Sequence, residues 1–378
     1  MKVIGLITEY NPIHLGHIYQ INKIKELYPN SIIIVITSSY FTQRGEVMIL
    51  NKWDKSKICL ENNIDLIIEF PIAYATQSAD IFAKGALYIL NKLNIDTLVF
   101  GSESNNIEIL KEIATTQLNN QQYNKLVQEH LNNGVNYPTA LSQSLKKILG
   151  YTITEPNDLL GVSYIKEIII NKYPITPISI KRIGSYHEKQ VNNKIISASL
   201  IRQMYLEKKD ISTHIPKNTL KHLSPNLSIE NYFPYLKYKI LSTKDLSIYQ
   251  TVEEGIENRI KTIISKSSSW KELVENIKTK RYTYNKICRM LVHILIDFTK
   301  EDYKQIKIDY IRLLGFSIEG QKYLNSIKKD IDIPIITNYK KNFSKLLDLE
   351  LKAASIYYLP INEKLLEKEF KNPPIKKN

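Results

Sequence analysis

Val3-Ile-Gly-Leu-Ile-Thr-Glu-Tyr-Asn-Pro-Ile-His-Leu-Gly-His17, continued by Ile-Tyr-Gln-Ile-Asn-Lys-Ile-Lys-Glu-Leu27, changes its hydrophobic period midway. Residues 3–7 are an unbroken apolar run, the pattern of a strand buried on both faces. Asn11-Pro12 then ends strand pairing, because proline lacks the amide donor a ladder needs. Beyond it Ile18, Ile21, Ile24 and Leu27 recur at every third position, which predicts an amphipathic helix opened by His14 or Gly16. The unit is a strand, a tight loop and a helix, with two histidines and a glycine on the first helical turn.

Chemistry follows from that placement. The first turn of a helix has unpaired amide donors and the positive end of the dipole, so phosphate groups bind there. Gly16 has no Cβ and lets a base or ribose approach the backbone. His14 and His17 share one helical face and can donate to phosphate oxygens as charge grows during displacement at an α-phosphorus. Two histidines three apart can also share a metal ion. Only Glu9 nearby could add a further ligand, so a nucleotide is the favoured occupant and no metal site is assigned.

Working outward, apolar runs at 31–37, 65–70 and 96–101 predict three more buried strands, with helices at 52–62 and 78–93 between them. This alternation predicts an α/β fold, a Rossmann-like parallel sheet with ligands at the carboxyl ends of its strands. Gly101-Ser102-Glu103 falls at that edge beside the histidine loop. Residues 105–149 are polar and helical in pattern, and Glu155-Pro156 starts another helix. A strand at 176–182 follows, and then Ser197 or Ser199 caps a helix whose Arg202 reaches back to the same end. After residue 228 strand signals largely vanish. Helices are expected at 252–265, 270–277, 284–298 and 310–327, with one short strand within 331–337 and a disordered tail from 371. The division predicted is a nucleotide-binding domain over 1–228 and a mainly α-helical domain over 229–378.

Composition narrows the partners. The formal charge is +14, and 28 of the 52 lysines and arginines lie in 229–378 against 19 acidic residues, which suits a polyanion. On the segment after Lys278, Tyr282, Lys286, Arg289 and His293 fall at steps of four, three and four. That spacing makes a cationic, aromatic face able to meet nucleic acid, although an ordinary solvated basic helix has the same pattern. Lys55-Ser56-Lys57 reads as solvated surface. No apolar run approaches a membrane span, and Met1-Lys2 leads straight into a strand without a secretory leader, so a cytoplasmic protein is expected. Cys59 and Cys288 are too far apart for a recognisable disulfide or zinc framework and read as buried small hydrophobes.

The order His-x-Gly-His after a strand resembles the nucleotidylyltransferase superfamily, and Ser197-x-Ser-x-x-Arg202 resembles its second motif. Longer stretches resemble one family, the tRNA(Met) cytidine acetate ligases: ITEYNPIHLGH (7–17), FTQRGE (41–46), ATQSADIFAKGA (75–86), FGSE (100–103), PNDLLGVSYIK (156–166), IKRIGSYHE (180–188), SASLIR (197–202) and KRYTYNKICRML (280–291). The resemblance implies an enzyme that activates acetate with ATP to acetyl-adenylate and transfers the acetyl group to N4 of the wobble cytidine of elongator tRNA(Met).

It also implies an ATP site made by Ile7, Thr8, Glu9, Tyr10, Asn11, Pro12, Gly16, Gln20, Gly101, Ser102, Asn157, Arg182, Ile183 and Ser199. His14 and His17 would stabilise the α-phosphate, Arg202 with Ser199 the pyrophosphate, and Mg²⁺ would accompany the triphosphate. Lys280, Arg281, Lys286 and Arg289 are the candidate tRNA contacts, on charge and spacing. Glu9, Glu103 and His187 are the candidate bases for the cytidine amine. Two positions depart from the family pattern: Leu15 inside the histidine motif, and Ser39-Tyr40, which is expected to alter a loop bordering the substrate. The rival readings are a small-molecule cofactor adenylyltransferase, a class I synthetase-like enzyme and a non-catalytic RNA-binding protein.

Overall fold

In a computed structural model of the chain, residues 1–183, 194–253 and 255–377 are described. Five strands, β1 (Val3–Thr8), β2 (Ile32–Ser38), β3 (Leu66–Phe70), β4 (Thr97–Ser102) and β5 (Thr176–Lys181), alternate with helices as the sequence predicts. They run parallel in the order β5-β4-β1-β2-β3, with Val3 opposite Ile32 and Ile4 opposite both Ile33 and Thr97. The strand order reverses between β1 and β4, which opens a crevice at their carboxyl ends.

Each strand splits its side chains between two cores, because successive residues point to opposite faces. Ile4, Leu6, Ile33, Val35, Ile67 and Val99 meet Ile21, Ile24, Trp53 and Ile201 on one face. Ile34, Ile36, Leu66, Ile68, Leu98 and Phe100 meet Phe82, Leu87, Val162 and Ile165 on the other.

The sheet continues beyond the boundary drawn at residue 228. Strand β6 (Ile311–Phe316) pairs antiparallel with β3, and β7 (Ile335–Ile336) and β8 (Ile375–Lys376) pair parallel with the beginning and end of β6. The helix expected over 310–327 is therefore a strand followed by helix Ile318–Ile327, whose N-cap Ser317 accepts from Gly320 N. The tail expected to be disordered is also anchored, with Lys377 N donating to Phe316 O at 3.0 Å. Helices Ile256–Ile264, Trp270–Ile277 and Tyr284–Leu295 fall where the periodicity predicts them, and Phe233–Ser242 and Lys345–Tyr358, for which no helix is expected from the sequence, make up most of the remainder.

A buried ionic cluster ties the returning strand and tail to the front of the chain. Lys52 Nζ donates to Glu69 Oε1 and Glu369 Oε2, both at 2.6 Å, and to Tyr40 Oη at 2.7 Å. Arg312 on β6 lies 3.2 Å from Glu69 Oε2 and 3.0 Å from Glu369 Oε2. Two cations thus offset two carboxylates, the condition under which buried charge is tolerated. Ser39 Oγ joins at 2.5 Å from Glu69 Oε1. Ser39 and Tyr40 accordingly face this cluster and not the crevice, and the loop they lead into reaches the crevice only further on, at Gln43, Arg44 and Glu46.

Candidate active site

His14 is the N-cap of helix Leu15–Leu27, not a residue of its first turn. Its Nδ1 accepts from Gly16 N at 3.0 Å, and the Nδ1 of His17 accepts from His14 N at 3.2 Å. Each imidazole therefore uses its Nδ1 as an acceptor, which leaves the proton of the neutral ring on Nε2. Neither Nε2 has a protein partner among the described residues, and both rings line the crevice. The rings stack with centroids 3.8 Å apart. Burial, with Arg182 and Arg202 adding to it, holds His14 down to about 3, and burial, His14, Arg182 and Lys55 keep His17 well below its ordinary value. The result is two neutral, fixed N–H donors side by side.

The helix amides do not bind phosphate as the sequence led us to expect. Leu15 N donates to His214 O at 2.9 Å, Gly16 N is taken by His14, and His17 N donates to His14 O at 2.9 Å. The groups left to meet an anion at this end of the helix are the imidazoles and guanidinium groups, with the helix dipole behind them. Gly16 also has a second role. A Cβ there would stand 2.7 Å from His14 Cε1 and 3.0 Å from its Nδ1, so the glycine makes room for the His14 ring.

The crevice encloses about 200 Å³ at the ends of β1 and β4, and a smaller cavity adjoins it across the histidines. Ile7, Thr8, Glu9, Tyr10, Asn11, His14, His17, Gln20, Gly101, Asn157, Arg182, Ser199 and Arg202 all line the main crevice. Gly16 and Ile183 line the adjoining cavity. Pro12 is buried and Ser102 donates from Oγ to Asp158 Oδ1 at 2.5 Å, and neither is a lining residue.

Helix Ala198–Leu206 presents its N-terminus here with Ser197 as cap. One turn on, Arg202 donates from Nη1 to Asn11 O at 2.7 Å and pairs through Nη2 with Glu46. Asn11 is itself clamped, donating to Val47 O and accepting from Ile49 N, both at 2.9 Å.

Of the candidate bases, Glu103 is committed elsewhere. Its carboxylate accepts from Asn157 Nδ2 and Asp158 N, while Asp158 accepts from Glu103 N and Ser104 N, a reciprocal clasp that sets Asn157 at the crevice. Glu9 lines the crevice, accepts from Gln43 N at 2.6 Å and has its carboxyl raised by burial. His187 lies outside the described residues.

Several residues given no role from the sequence also meet here. Gln43, Arg44 and Glu46 line the crevice from the FTQRGE stretch, and Phe82, Phe100, Leu160 and Tyr164 line it from the core of one sheet face. Their only prior signal was membership of the quoted stretches. Lys55, read as solvated, is fully buried under the loop after β1 and donates from Nζ to Glu9 O at 2.7 Å and Ser38 O at 2.8 Å. Burial, only partly countered by Cys59 and Glu9, brings Lys55 down to about 7. Ser56 is buried too, and only Lys57 of that triplet is exposed.

The expected basic face after Lys278 divides in two. Lys280 and Arg281 are exposed, while Lys286 is half-buried, with Nζ 4.9 Å from the centroid of the Tyr282 ring. Arg289 turns inward and donates to Gln43 O at 3.1 Å, and His293 is fully buried between Thr76 and Gln250. Gly45, at φ +74°, would place a Cβ 2.5 Å from the Cys288 carbonyl carbon, so the FTQRGE loop lies flat on this helix.

No helix is long and apolar enough to cross a membrane among the described residues. Nor do any three of their His, Cys, Asp and Glu side chains group to hold a metal ion.

The HIGH Nucleotidyl Transferase family matches residues 1–372. The tRNA(Met) cytidine acetate ligase of Geobacillus sp. (strain WCH70) is 37% identical over 401 residues, covering 99% of this chain and 100% of the relative. That of Caldicellulosiruptor saccharolyticus is 38% identical, covering 99% and 98%. The crystal structure of Thermotoga maritima TmcAL (apo, form I) superposes with a TM-score of 0.92 at 28% identity, covering 100% of this chain and 99% of that one. The same protein bound with alpha-thio ATP (form II) gives 0.89 at 28% identity, with the same coverage.

Proposed function

Because this chain belongs to the tRNA(Met) cytidine acetate ligase family, we propose that it couples ATP cleavage to acetylation of the wobble cytidine of elongator tRNA(Met). An oxygen of acetate attacks the α-phosphorus of ATP, and the bond to pyrophosphate breaks. The product is acetyl-adenylate. N4 of cytidine then attacks its carbonyl carbon, AMP leaves, and the amine gives up one proton.

The observation that carries this reading is the pair of neutral imidazoles, His14 and His17, with both Nδ1 atoms fixed and both Nε2 atoms open to the crevice. Donors of this kind stabilise charge that develops on α-phosphate oxygens without moving during the reaction. Acetate is itself the nucleophile, so no side-chain nucleophile is required. Arg202 and Arg182 are the cations available to the leaving pyrophosphate and the nucleotide. Arg202 is held by Glu46 and Asn11 O until phosphate oxygens compete for it. A neighbour that superposes over the whole chain is bound with alpha-thio ATP, which supports a nucleotide as substrate.

Mg²⁺ enters as part of the Mg-ATP substrate. The crevice carboxylates do not form a resident site for it: Glu9 is engaged by Gln43 N and Glu46 by Arg202. Of the two candidate bases among the described residues, Glu9 and not Glu103 lines the crevice, and Glu9 is assigned the cytidine proton. The exposed Lys280 and Arg281, on the helical side of the FTQRGE loop, are assigned to the tRNA backbone, and the cytoplasm is the place of action.

The first step is tested by acetate-dependent exchange of labelled pyrophosphate into ATP. Exchange that requires acetate and disappears in His17→Ala supports the assignment. Exchange independent of acetate, or undiminished in the variant, overturns it.

A further inference from the structure

The crevice has a polar and an apolar end. His14, His17, Arg182 and Arg202 surround one, and the histidines and Arg182 also wall the adjoining cavity beside Gly101 and Ile183. That adjoining cavity does not include Phe82, Phe100, Leu160 or Tyr164, which line the main crevice and pack with the core on the other face of the sheet from Ile13, Ile196 and Ile201 beside the histidines. We infer that this apolar end seats the methyl group of acetate, with Phe82, Phe100 and Leu160 limiting acyl length and Tyr164 donating to the carboxylate. The inference rests on the acetate-activating function proposed above and names the side chains that make the site prefer that acid.

The wall is rigid. Phe82 is 3% exposed and stands edge-on to Phe70, with centroids 4.9 Å apart and planes at 89°. Phe100 stands against Tyr164 with centroids 5.8 Å apart. Behind it Gly161 leaves no space, since a Cβ there would lie 2.5 Å from Phe100 Cε2. Close-packed rings of this kind cannot retreat to admit extra methylenes.

Tyr164 supplies the polar contact. The residue is only 4% exposed and lines the crevice, yet its hydroxyl has no hydrogen-bond partner among the described residues. A hydroxyl open to an otherwise apolar recess is the kind of placed polar group that orients a ligand oxygen. A short carboxylic acid presents this combination: an alkyl end for the rings, one oxygen for Tyr164 and the other free to attack phosphorus at the histidines.

A hydrophobic pocket distinguishes acids differing by one methylene by about 10–200-fold. The test uses the full-length protein and the variants Phe82→Ala, Leu160→Ala and Tyr164→Phe, each checked by thermal unfolding. Acetate and propionate compete with Mg-ATP and tRNA, N4-acylcytidines are quantified by mass spectrometry, and ATP affinity is measured by calorimetry. Leu160 is half-buried, so its truncation keeps the test available if Phe82→Ala fails to fold.

The inference predicts at least a tenfold rise in the propionyl to acetyl ratio in Phe82→Ala or Leu160→Ala, with ATP affinity within threefold of wild type. It predicts about a tenfold rise in the acetate KM for Tyr164→Phe. An unchanged ratio in the folded variants overturns it while leaving the proposed function intact. A tenfold loss of ATP affinity also overturns it, by placing the adenine in the recess. No acylcytidine from the wild-type protein overturns the function and this inference with it.

Discussion

Gly16→Ala separates folding from catalysis, because the two respond to different atoms. In the helix, alanine is favoured over glycine by up to about 1 kcal/mol. The new Cβ, however, would stand 2.7 Å from His14 Cε1, about 1 Å inside ordinary carbon contact. His14 can relieve this only by swinging its ring away, which breaks the cap bond from Gly16 N and costs about 1 kcal/mol. The two terms nearly cancel, so unfolding by urea should shift by no more than about 1 kcal/mol. The displaced ring no longer aims Nε2 at the α-phosphate. Losing one fixed donor to developing charge lowers the rate by about 10²–10³. Acetate-dependent pyrophosphate exchange reads that loss directly. Exchange within threefold of wild type, at unchanged stability, would show that Gly16 does not position His14 and would refute the argument.

Three further predictions follow from other parts of the fold. His14→Asn keeps an N-cap acceptor but removes a titrating ring whose folded value is about 3. The unfolded ring protonates near 6.5 while the folded ring does not, so wild type loses about 1.4 kcal/mol per pH unit from this group below 6.5, or about 2 kcal/mol by pH 5. Unfolding free energies at pH 7 and pH 5 should show that increment missing in the variant, and equal slopes would contradict it. Lys52→Met leaves Glu69 and Glu369 sharing Arg312 alone and should destabilise by about 3–5 kcal/mol in denaturant titrations. A change under about 1 kcal/mol would show the cluster to be dispensable. Lys280→Ala with Arg281→Ala should raise the KM for tRNA and reduce the salt dependence of binding, without altering pyrophosphate exchange. Loss of exchange would move these residues from the tRNA surface to the nucleotide site.

The front sheet was legible because β1 to β4 are apolar runs buried on both faces, and the period change at His14 marks the helix directly. Ser197 and Arg202 were legible for the same reason, since capping chemistry is local. Long-range pairing was not. Residues 311–316 read as the start of a helix because Ile-Arg-Leu-Leu-Gly-Phe, four apolar residues around an arginine and a glycine, suits either state, and only β3, more than 240 positions earlier in the chain, decides it. Lys52, Lys55 and Arg289 look like surface charges in sequence. Their burial depends on partners such as Glu369, Glu9 O and Gln43 O, which no local pattern places beside them. The histidines were found by spacing, but their role as caps and the direction of their donors came only from the hydrogen bonds at Nδ1.

The central claim is most directly tested by incubating the protein with isotopically labelled acetate, Mg-ATP and total bacterial tRNA, then digesting the RNA and weighing its nucleosides. The account predicts labelled N4-acetylcytidine at the wobble position of elongator tRNA(Met), formed by wild type and lost in His17→Ala. ATP cleaved with no label in any cytidine would contradict it.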